Sequence, residues 1–389
     1  MDYTKRLNNT IQQVKPSGIR RFFDIVSEMD DVISLSIGEP DFRTPWHVSK
    51  AAIDSLEKGR TWYTPNRGFE KLRDEISSFV KRKYNLTYSA KEEILVTVGG
   101  SEALDLAMRC LLNPGDEVLI HQPSFVCYEP LTLMAGATPV VINTQQENCF
   151  RLTAQELEDA ITPKTKLLVL SYPNNPTGAI MRRGDLEAIA EVIIKHDLMV
   201  ISDEIYSELT YGDRHVSLAS IEGMRERTIV INGFSKAFAM TGWRLGYAMG
   251  PAPIIDMMTK LHQFGIMSAP TVAQYAAIEA LRNGDKDIDK MRDEYEMRKR
   301  YVVGEFNAMG LECFEPNGAF YSFPCIKSTG LTSEEFCTKL LASKKVAIVP
   351  GNAFGESGEG YVRVSYSYSL KHLKEAISRI KEFLQELNV

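Results

Sequence analysis

Seven short apolar runs, separated by longer segments of helical periodicity, limit the possible fold more than any other feature of this 389-residue chain. Apolar runs of this length without polar alternation are typical of strands that are buried on both faces. A strand followed repeatedly by a helix predicts a mostly parallel sheet with helices on both sides. The predicted strands are 93–98, 117–121, 138–142, 166–171, 198–202, 228–232 and 245–249. The predicted helices are 101–112, which we expect Ser101 to cap, 182–196 and 269–282.

The character of the sequence changes near residue 283. A long charged helix is predicted over 286–309, short strand-like runs follow it, and a last helix is predicted over 370–387. The N-terminal residues suggest a short helix and a loop that pack with this C-terminal unit. The predicted fold class is therefore α/β: a three-layer α/β/α large domain with a mostly parallel sheet, and a smaller α+β domain formed by both chain ends. The predicted bounds are 46–282 for the large domain, and 1–45 with 283–389 for the small domain.

Charge and cysteine usage exclude several classes of protein. The chain has 45 Lys and Arg against 51 Asp and Glu, which gives a net charge of −6, so we expect no nucleic-acid or membrane partner. The six cysteines form no CxxC pair and the six histidines no HExxH motif, so neither a disulfide framework nor a metal site is expected. No apolar signal core and no run of ~18 apolar residues is present, and we therefore expect a cytoplasmic protein.

The segment 232–247 (NGFSKAFAMTGWRLGY) leaves one predicted strand and enters the next. A lysine is usually a solvated surface charge, and Lys236 alone would be interpreted in that way. Its neighbours Ser235 and Arg244 supply a hydroxyl and a guanidinium that suit a phosphate. The small and apolar residues around Lys236 favour a desolvated amine with a lowered pKa. This combination predicts a reactive lysine, as a carbonyl cofactor requires.

The sequence VGGSEAL at 98–104 suggests a second anion site. Gly100 and Ser101 lie where backbone N–H groups and the helix dipole favour negative charge. A plain helix cap with flexible glycines explains the same residues equally well. Because neither GxxxxGK[ST] nor GxGxxG is present, phosphate binding here would indicate a small phosphorylated cofactor.

Further polar groups directly follow predicted strands, at the edge where α/β sheets bind ligands. Asp203 and Tyr206 follow the strand 198–202, so a carboxylate and a phenol are expected to face one pocket, although an acid at this place commonly caps the next turn. Asn175 lies in SYPNNPTG at 171–178, which a proline-rich turn also explains. In YVRVSYS, Arg363 shares one strand face with residues 361 and 365, and it needs a carboxylate, a phosphate or a structural salt bridge.

The order of SIGEPDF, YTPNRG, GGSEAL, NNPTG, SDEIY, SKxxxxxGWRLGY and a late YVRVS resembles the fold-type I pyridoxal-phosphate enzymes, specifically the class I aminotransferases. The resemblance covers essentially the whole chain. Within this family, the sequence resembles most the bacterial N-acetyl-diaminopimelate, aromatic and aspartate aminotransferases. The resemblance implies a pyridoxal 5′-phosphate (PLP) cofactor and an enzyme, EC 2.6.1.-, that moves an amino group from an L-amino acid to a 2-oxo acid. The implied mechanism is ping-pong and passes through an aldimine and a ketimine.

The resemblance also implies roles for the residues around the cofactor. Lys236 would be the Schiff-base lysine and the general base and acid of the proton transfer. Asp203 would pair with the pyridine nitrogen, and Tyr206 and Asn175 would bind the ring hydroxyl. Phe125 would stack on the ring.

The phosphate and substrate groups follow from the same resemblance. Gly100, Ser101, Ser235 and Arg244 would hold the phosphate, and Tyr63 would reach it from the neighbouring subunit of a homodimer with shared active sites. The substrate α-carboxylate would lie on Arg363, beside Asn175 and under the backbone of Ile37 and Gly38.

Two positions bear on the substrate. Dicarboxylate-specific relatives have a basic residue at one of two places where this chain has Ser101 and Phe264, so strict aspartate specificity is not expected. The scaffold also supports C–S β-lyases and aminocyclopropane-carboxylate synthases, and these alternatives stay open. A ligand-sensing domain fused to a helix-turn-helix module is an alternative of another class, but too few residues precede the first motif for that module, and the acidic balance disfavours it.

Overall fold

The computed structural model describes residues 1, 3–16, 29 and 31–387. Its strands are β1 (Ile33–Ser34), β2 (Ile94–Thr97), β3 (Glu117–Gln122), β4 (Thr138–Asn143), β5 (Thr165–Ser171), β6 (Met199–Asp203), β7 (Thr228–Gly233), β8 (Gly246–Met249), β9 (Tyr321–Ser322), β10 (Val346–Ala347), β11 (Val349–Pro350) and β12 (Val362–Ser365). A seven-stranded sheet forms the centre, in the order β2-β8-β7-β6-β5-β3-β4. In this sheet only β8 runs against the direction of the other strands, so the predicted mostly parallel sheet is confirmed. Each predicted strand end is within one residue of the observed one.

Helices cover both faces of this sheet, which confirms the predicted three layers. The α-helices of the described residues are α1 (Asn9–Gln13), α2 (Trp46–Glu57), α3 (Glu70–Tyr84), α4 (Gly99–Leu111), α5 (Tyr128–Met134), α6 (Ala154–Ala160), α7 (Arg183–Lys195), α8 (Ala252–Gly265), α9 (Thr271–Asn283), α10 (Asp285–Ala308), α11 (Ser333–Lys344) and α12 (Leu370–Glu386). One face of the sheet packs against α4, α5 and α8, and the other against α2, α3, α6, α7 and α9. None of the helices in the described part of the chain has the length and apolarity needed to cross a membrane.

The start of α4 corrects one expectation. The helix begins at Gly99, and no side chain of its N-cap residue, Val98, caps it. Glu102 accepts a hydrogen bond from the Val98 N–H at 2.5 Å and so satisfies a terminal donor from inside the first turn. The sequence pattern predicts Ser101 as the helix cap. This prediction is wrong, because Ser101 lies within the helix.

Residues of the C-terminal part of the chain form a second core, which side chains such as Leu35, Tyr206 and Leu209 join. Its strands β11, β12 and β9 make an antiparallel sheet, and β1 pairs in parallel with β10. Buried residues of α10, α11 and α12 pack around these strands. The division of the chain into domains at residues 46 and 283 stays a prediction.

The N-terminal residues contact both parts of the fold. α1 contacts α5 beside the large sheet. The later N-terminal residues contact the C-terminal unit, because the Ile33 N–H donates to Lys345 O at 2.8 Å and Arg298 Nη1 forms an ion pair with Asp41 at 2.8 Å. The expected packing of N-terminal residues with the C-terminal unit is therefore found for these later residues, while α1 lies against the large unit.

The register of the parallel strands determines where the site forms. Ser171, at the end of β5, lies opposite Asp203, at the end of β6, and Asp203 lies opposite Ile231 in β7. The loops that contain Asn175, Tyr206 and Lys236 therefore leave the sheet at one common edge. This is the edge at which α/β sheets bind ligands.

Candidate active site

A cavity of about 280 Å³ lies at this edge, between the sheet and the C-terminal unit. Most of the predicted site residues line it, and the two that do not are Tyr63, which is 79% exposed, and Ile37, which is 40% exposed. The lining residues are Gly38, Gly100, Ser101, Leu104, Phe125, Tyr128, Ser171, Asn175, Asp203, Ile205, Tyr206, Ser235, Lys236, Thr241, Arg244, Tyr321 and Arg363.

Lys236 follows β7 and extends its amine into the cavity. Its Nζ donates a hydrogen bond to the Gly38 carbonyl at 2.5 Å and lies 5.7 Å from the ring centres of Tyr206 and Phe320. Burial is the main reason that the pKa of Lys236 falls to about 8, and the positive charge of Arg363 lowers it further. At neutral pH this amine is therefore unprotonated far more often than that of a surface lysine, whose pKa is about 10.4.

Asp203 is the buried acid of the site and is only 6% exposed. Its Oδ2 lies 2.8 Å from the Tyr128 hydroxyl, and its Oδ1 accepts a hydrogen bond from the Ile205 N–H at 3.2 Å. Burial raises its pKa to about 6, so the group is still mainly ionised at neutral pH. No ion pair to Asp203 is present among the described residues, which leaves a buried negative charge that faces the cavity.

Arg363, in β12, is buried to 2% exposure. Nη1 donates to Asn175 Oδ1 at 2.9 Å, Nη2 donates to the Ser36 carbonyl, and the guanidinium carbon lies 4.6 Å from the ring centre of Tyr321. Nε has no hydrogen-bond partner. The carboxylate, phosphate or structural salt bridge predicted for this arginine is therefore not found in the described part of the chain, and the buried cation can bind an anion from outside.

Tyr206 and Asn175 lie on the same side of the cavity as Arg363. The Tyr206 hydroxyl lies 2.8 Å from that of Tyr321, and the Asn175 carbonyl oxygen is occupied by Arg363. The Asn175 amide NH₂ has no acceptor among the hydrogen bonds of the described residues, so it is available as a donor. Phe125 also lines the cavity, with its ring 6.1 Å from that of Tyr128 in an edge-to-face arrangement.

The first turn of α4 forms the far end of the cavity. The first N–H groups of a helix lack intrahelical acceptors and carry the positive end of the dipole. Arg244 lies beside this turn, because a Cβ added at Gly99 would be 2.7 Å from Arg244 Nη2. Gly246 allows β8 to approach equally closely, since a Cβ there would be 2.6 Å from the Gly100 nitrogen. Gly100, Ser101, Ser235 and Arg244 all line the cavity, and a helix N-terminus beside an arginine favours an anion.

Sequence reasoning missed six lining residues. Tyr128 and Tyr321 are the most informative, because they contact Asp203 and Tyr206 across 75 and 115 residues of sequence. A pattern in one local segment contains no information on such contacts. Ser171 is the first residue of the predicted turn 171–178, and its position at the end of β5 places it at the site. The six missed residues are Leu104, Tyr128, Ser171, Ile205, Thr241 and Tyr321.

These groups fit a phosphorylated pyridine aldehyde. The cavity has an amine of lowered pKa, a buried carboxylate without a cationic partner, a helix N-terminus beside an arginine, and a second arginine with an unpartnered Nε. An amine that binds the aldehyde and a carboxylate that pairs with the pyridine nitrogen are what PLP requires. The fold and the site therefore define an enzyme that uses PLP.

Comparison with known proteins gives the family. Residues 30–380 match the model of aminotransferase class I and II. The chain is 50% identical over 383 residues to the putative aminotransferase YugH of Bacillus subtilis, which covers 98% of this chain and 99% of the relative. It is 47% identical over 383 residues to an aspartate aminotransferase of Pyrococcus abyssi, with 98% of each chain covered. The chain belongs to the aminotransferase class I and II family, and it is a PLP-dependent aminotransferase.

Two further comparisons broaden this group. A probable N-acetyl-LL-diaminopimelate aminotransferase of Bacillus subtilis is 44% identical over 378 residues, which is 97% of this chain and 95% of the relative. The crystal structure of an aromatic aminotransferase from Pyrococcus horikoshii OT3 matches with a TM-score of 0.90 and 45% identity, over 94% of this chain and 99% of that one. The resemblance found in the sequence is thus confirmed at the level of the family and the fold.

Proposed function

We propose that the cavity is the active site in which an amino group passes from an L-amino acid to a 2-oxo acid, with Lys236, Asp203 and Tyr206 as its catalytic residues. One observation supports this most directly: an amine of lowered pKa and a buried arginine without an anionic partner open into the same cavity. The amine is suited to move a proton, and the arginine is suited to bind a carboxylate. An α-amino acid presents both a Cα proton and a carboxylate.

The proposed chemistry depends on a proton that leaves one carbon and returns to another. When bound, PLP withdraws electrons from the substrate Cα and so makes its proton acidic. Lys236, as the free amine, removes this proton and later returns it to the cofactor carbon C4′ as general base and acid. A pKa near 8 suits both halves of this task, because the group exchanges its proton readily at neutral pH.

The other cofactor groups have one proposed function each. Asp203 keeps the pyridine nitrogen protonated through its negative charge, and Tyr206 and Asn175 donate hydrogen bonds to the ring hydroxyl oxygen. Phe125 packs on the ring face. The phosphate lies at the first turn of α4 and is bound by the following residues: Gly100, Ser101, Ser235 and Arg244.

Arg363 is proposed to bind the substrate α-carboxylate. Its guanidinium is already oriented by Asn175 and by the Ser36 carbonyl, so little side-chain entropy is lost when the carboxylate binds. The backbone of Ile37 and Gly38 lies next in the chain and would close over the substrate. The Gly38 carbonyl contacts Lys236, so this loop connects the carboxylate site with the reactive amine.

We also propose a homodimer with shared active sites. Tyr63 and Phe264 are 79% and 83% exposed, and Trp62 and Met267 are also exposed. The two loops lie together, because the Thr271 hydroxyl donates to the Trp62 carbonyl at 2.7 Å. A contiguous exposed apolar patch marks an interaction surface, and a second copy of the chain is the commonest partner. In such a dimer, Tyr63 would reach the phosphate of the neighbouring site.

The substrate range is proposed to extend beyond aspartate. Ser101 lines the cavity and Phe264 is exposed, and neither supplies a positive charge for a distal carboxylate. Relatives of similar identity are named for aspartate and for N-acetyl-LL-diaminopimelate, and a solved structure for aromatic substrates. The physiological partners are therefore an amino acid and a 2-oxo acid that do not need a cationic side-chain site. All six cysteines are unpaired, which suits a cytoplasmic location.

A spectrum of the purified protein tests these proposals. The wild type should show a visible absorption band of bound PLP, which a panel of amino acids bleaches in the absence of any 2-oxo acid. Lys236→Ala should lack the bleaching, while Gly304→Ala, an exposed helix substitution with no atom within 4 Å of the new Cβ, should retain it. Aspartate turnover far above that of every other donor would contradict the broad range. Pyruvate released from cystathionine without an acceptor would indicate β-lyase chemistry instead.

A further inference from the structure

Tyr128 contacts the site in a way that the proposed chemistry does not yet use. It is the first residue of α5 and is 1% exposed. Its hydroxyl oxygen lies 2.8 Å from Asp203 Oδ2 and 2.9 Å from Ser171 Oγ. All three residues line the cavity.

The direction of these two hydrogen bonds follows from the number of available hydrogens. A phenol has one hydrogen to donate, and an ionised carboxylate can only accept. The hydrogen of Tyr128 therefore points at Asp203, and the Ser171 hydroxyl donates to the phenol oxygen. Such a chain strengthens the bond to the carboxylate, because each donor polarises the next.

The two oxygens of Asp203 are consequently fixed on the protein side. Oδ2 accepts from Tyr128, and Oδ1 accepts from the Ile205 N–H at 3.2 Å. Besides the hydrogen bond from Tyr128, the charges of Glu204 and Lys236 act on this carboxylate. The other titratable groups beside it are Cys127 and Tyr206. Without a donor at Oδ2, burial and Glu204 would favour the protonated, neutral acid, which cannot stabilise a protonated pyridine.

We propose that Tyr128 is a positioning residue: oriented by Ser171, its hydroxyl keeps Asp203 ionised and fixes the carboxylate in the orientation that pairs with the pyridine nitrogen of PLP. This inference rests on the role proposed above for Asp203. The Tyr128 hydroxyl is hydrogen-bonded to Asp203 and Ser171, so its effect is transmitted through the carboxylate. The competing explanation is that Tyr128 merely fills the core beside Phe125.

Binding of PLP and of its 1-deaza analogue to the cofactor-free protein separates the two explanations. The analogue has C–H in place of the pyridine nitrogen, so it cannot use the charge of Asp203. In Tyr128→Phe we expect the Kd of PLP to rise by about 10- to 150-fold, the factor for one hydrogen bond to a charged group. The Kd of the analogue should change less than about 3-fold. Isothermal titration at pH 8 measures both.

Tyr88→Phe is the matched control. Tyr88 is also 1% exposed, its hydroxyl has no hydrogen-bond partner, and it does not line the cavity. Loss of the Tyr88 hydroxyl should leave the Kd of PLP and the Kd of the analogue unchanged. If Tyr128→Phe does not fold, Ser171→Ala removes the donor to the phenol and should weaken PLP more than the analogue, by a smaller factor.

The outcomes distinguish this inference from the role of Asp203 itself. Equal weakening of PLP and analogue by Tyr128→Phe, or no weakening of either, overturns the positioning role. If the wild type binds both ligands equally and Asp203→Asn also has no selective effect, the role proposed for Asp203 fails. Selective weakening of PLP in both variants supports the two assignments together.

Discussion

Replacing Arg363 by lysine keeps the positive charge and removes the planar fork that binds a carboxylate. In the wild type, one Nη contacts Asn175 and the other contacts the Ser36 carbonyl, while Nε has no partner. A single ammonium can satisfy these acceptors or bind the substrate, but it cannot reproduce the guanidinium geometry. We expect the loss of about one charge-assisted hydrogen bond to the substrate, which is about 1.5–3 kcal/mol. This corresponds to a fall in kcat/KM of about 10- to 150-fold.

The assay measures the single-turnover reaction of the PLP-loaded protein with an amino acid and, separately, with the amine that lacks the α-carboxylate. Arg363→Lys should slow the amino-acid reaction, mainly through KM, and leave the slow amine reaction unchanged. Equal losses with both substrates would refute the reasoning, because the amine has no carboxylate for Arg363 to bind. Unchanged affinity for PLP is the control that the cofactor site is intact.

Three further changes test other features. Because burial lowers the pKa of Lys236 to about 8, the folded protein disfavours its charged form. Lys236→Met should therefore raise the free energy of unfolding of the cofactor-free protein by about 1–3 kcal/mol at pH 7, measured in urea. This difference from the wild type should shrink between about pH 8 and 10.5, as the wild-type amine loses its proton in the folded state. A difference that does not change with pH would contradict the reasoning. Gly38→Ala places a Cβ against the Tyr321 hydroxyl and should lower kcat/KM, whereas Gly304→Ala should preserve activity and raise thermal stability by about 0.5–1 kcal/mol. Tyr63→Ala and Lys236→Ala chains, mixed and refolded together, should recover about a quarter of the wild-type active sites. Only one of the two sites in each mixed dimer has both Tyr63, from one subunit, and Lys236, from the other. If no activity is recovered, Tyr63 does not act in the partner's site.

The sequence predicted the sheet well because strands buried on both faces are continuously apolar. All residues of β2, β7 and β8 are buried, so their apolar runs could not be confused with amphipathic helices. Asp203 and Lys236 were found for a related reason, since polar groups directly after such strands must meet at one edge of the sheet. The roles assigned to them stay predictions.

Other features depend on contacts that no local pattern reveals. Tyr128 meets Asp203, and Tyr321 meets Tyr206, only after distant segments have packed together. The contact of α1 with α5 is another that the short sequence of α1 does not indicate. The predicted start of α4 was wrong because the Glu102 carboxylate, and not Ser101, accepts a hydrogen bond from a terminal N–H, that of Val98. Glutamate is not among the favoured N-cap residues, so the sequence does not indicate this contact.

The distant contacts of Arg363 have a consequence for biosynthesis of the chain. Arg363 joins Ser36 and Asn175, contacts that span 327 and 188 residues. Contacts of such sequence separation form late, because a long loop must close first. During synthesis, the segment that contains Lys236 emerges and can pack long before residue 363 leaves the ribosome. A nascent chain in which residue 363 has not yet emerged therefore lacks this buried cation, although Asp203 and Lys236 have already been synthesised.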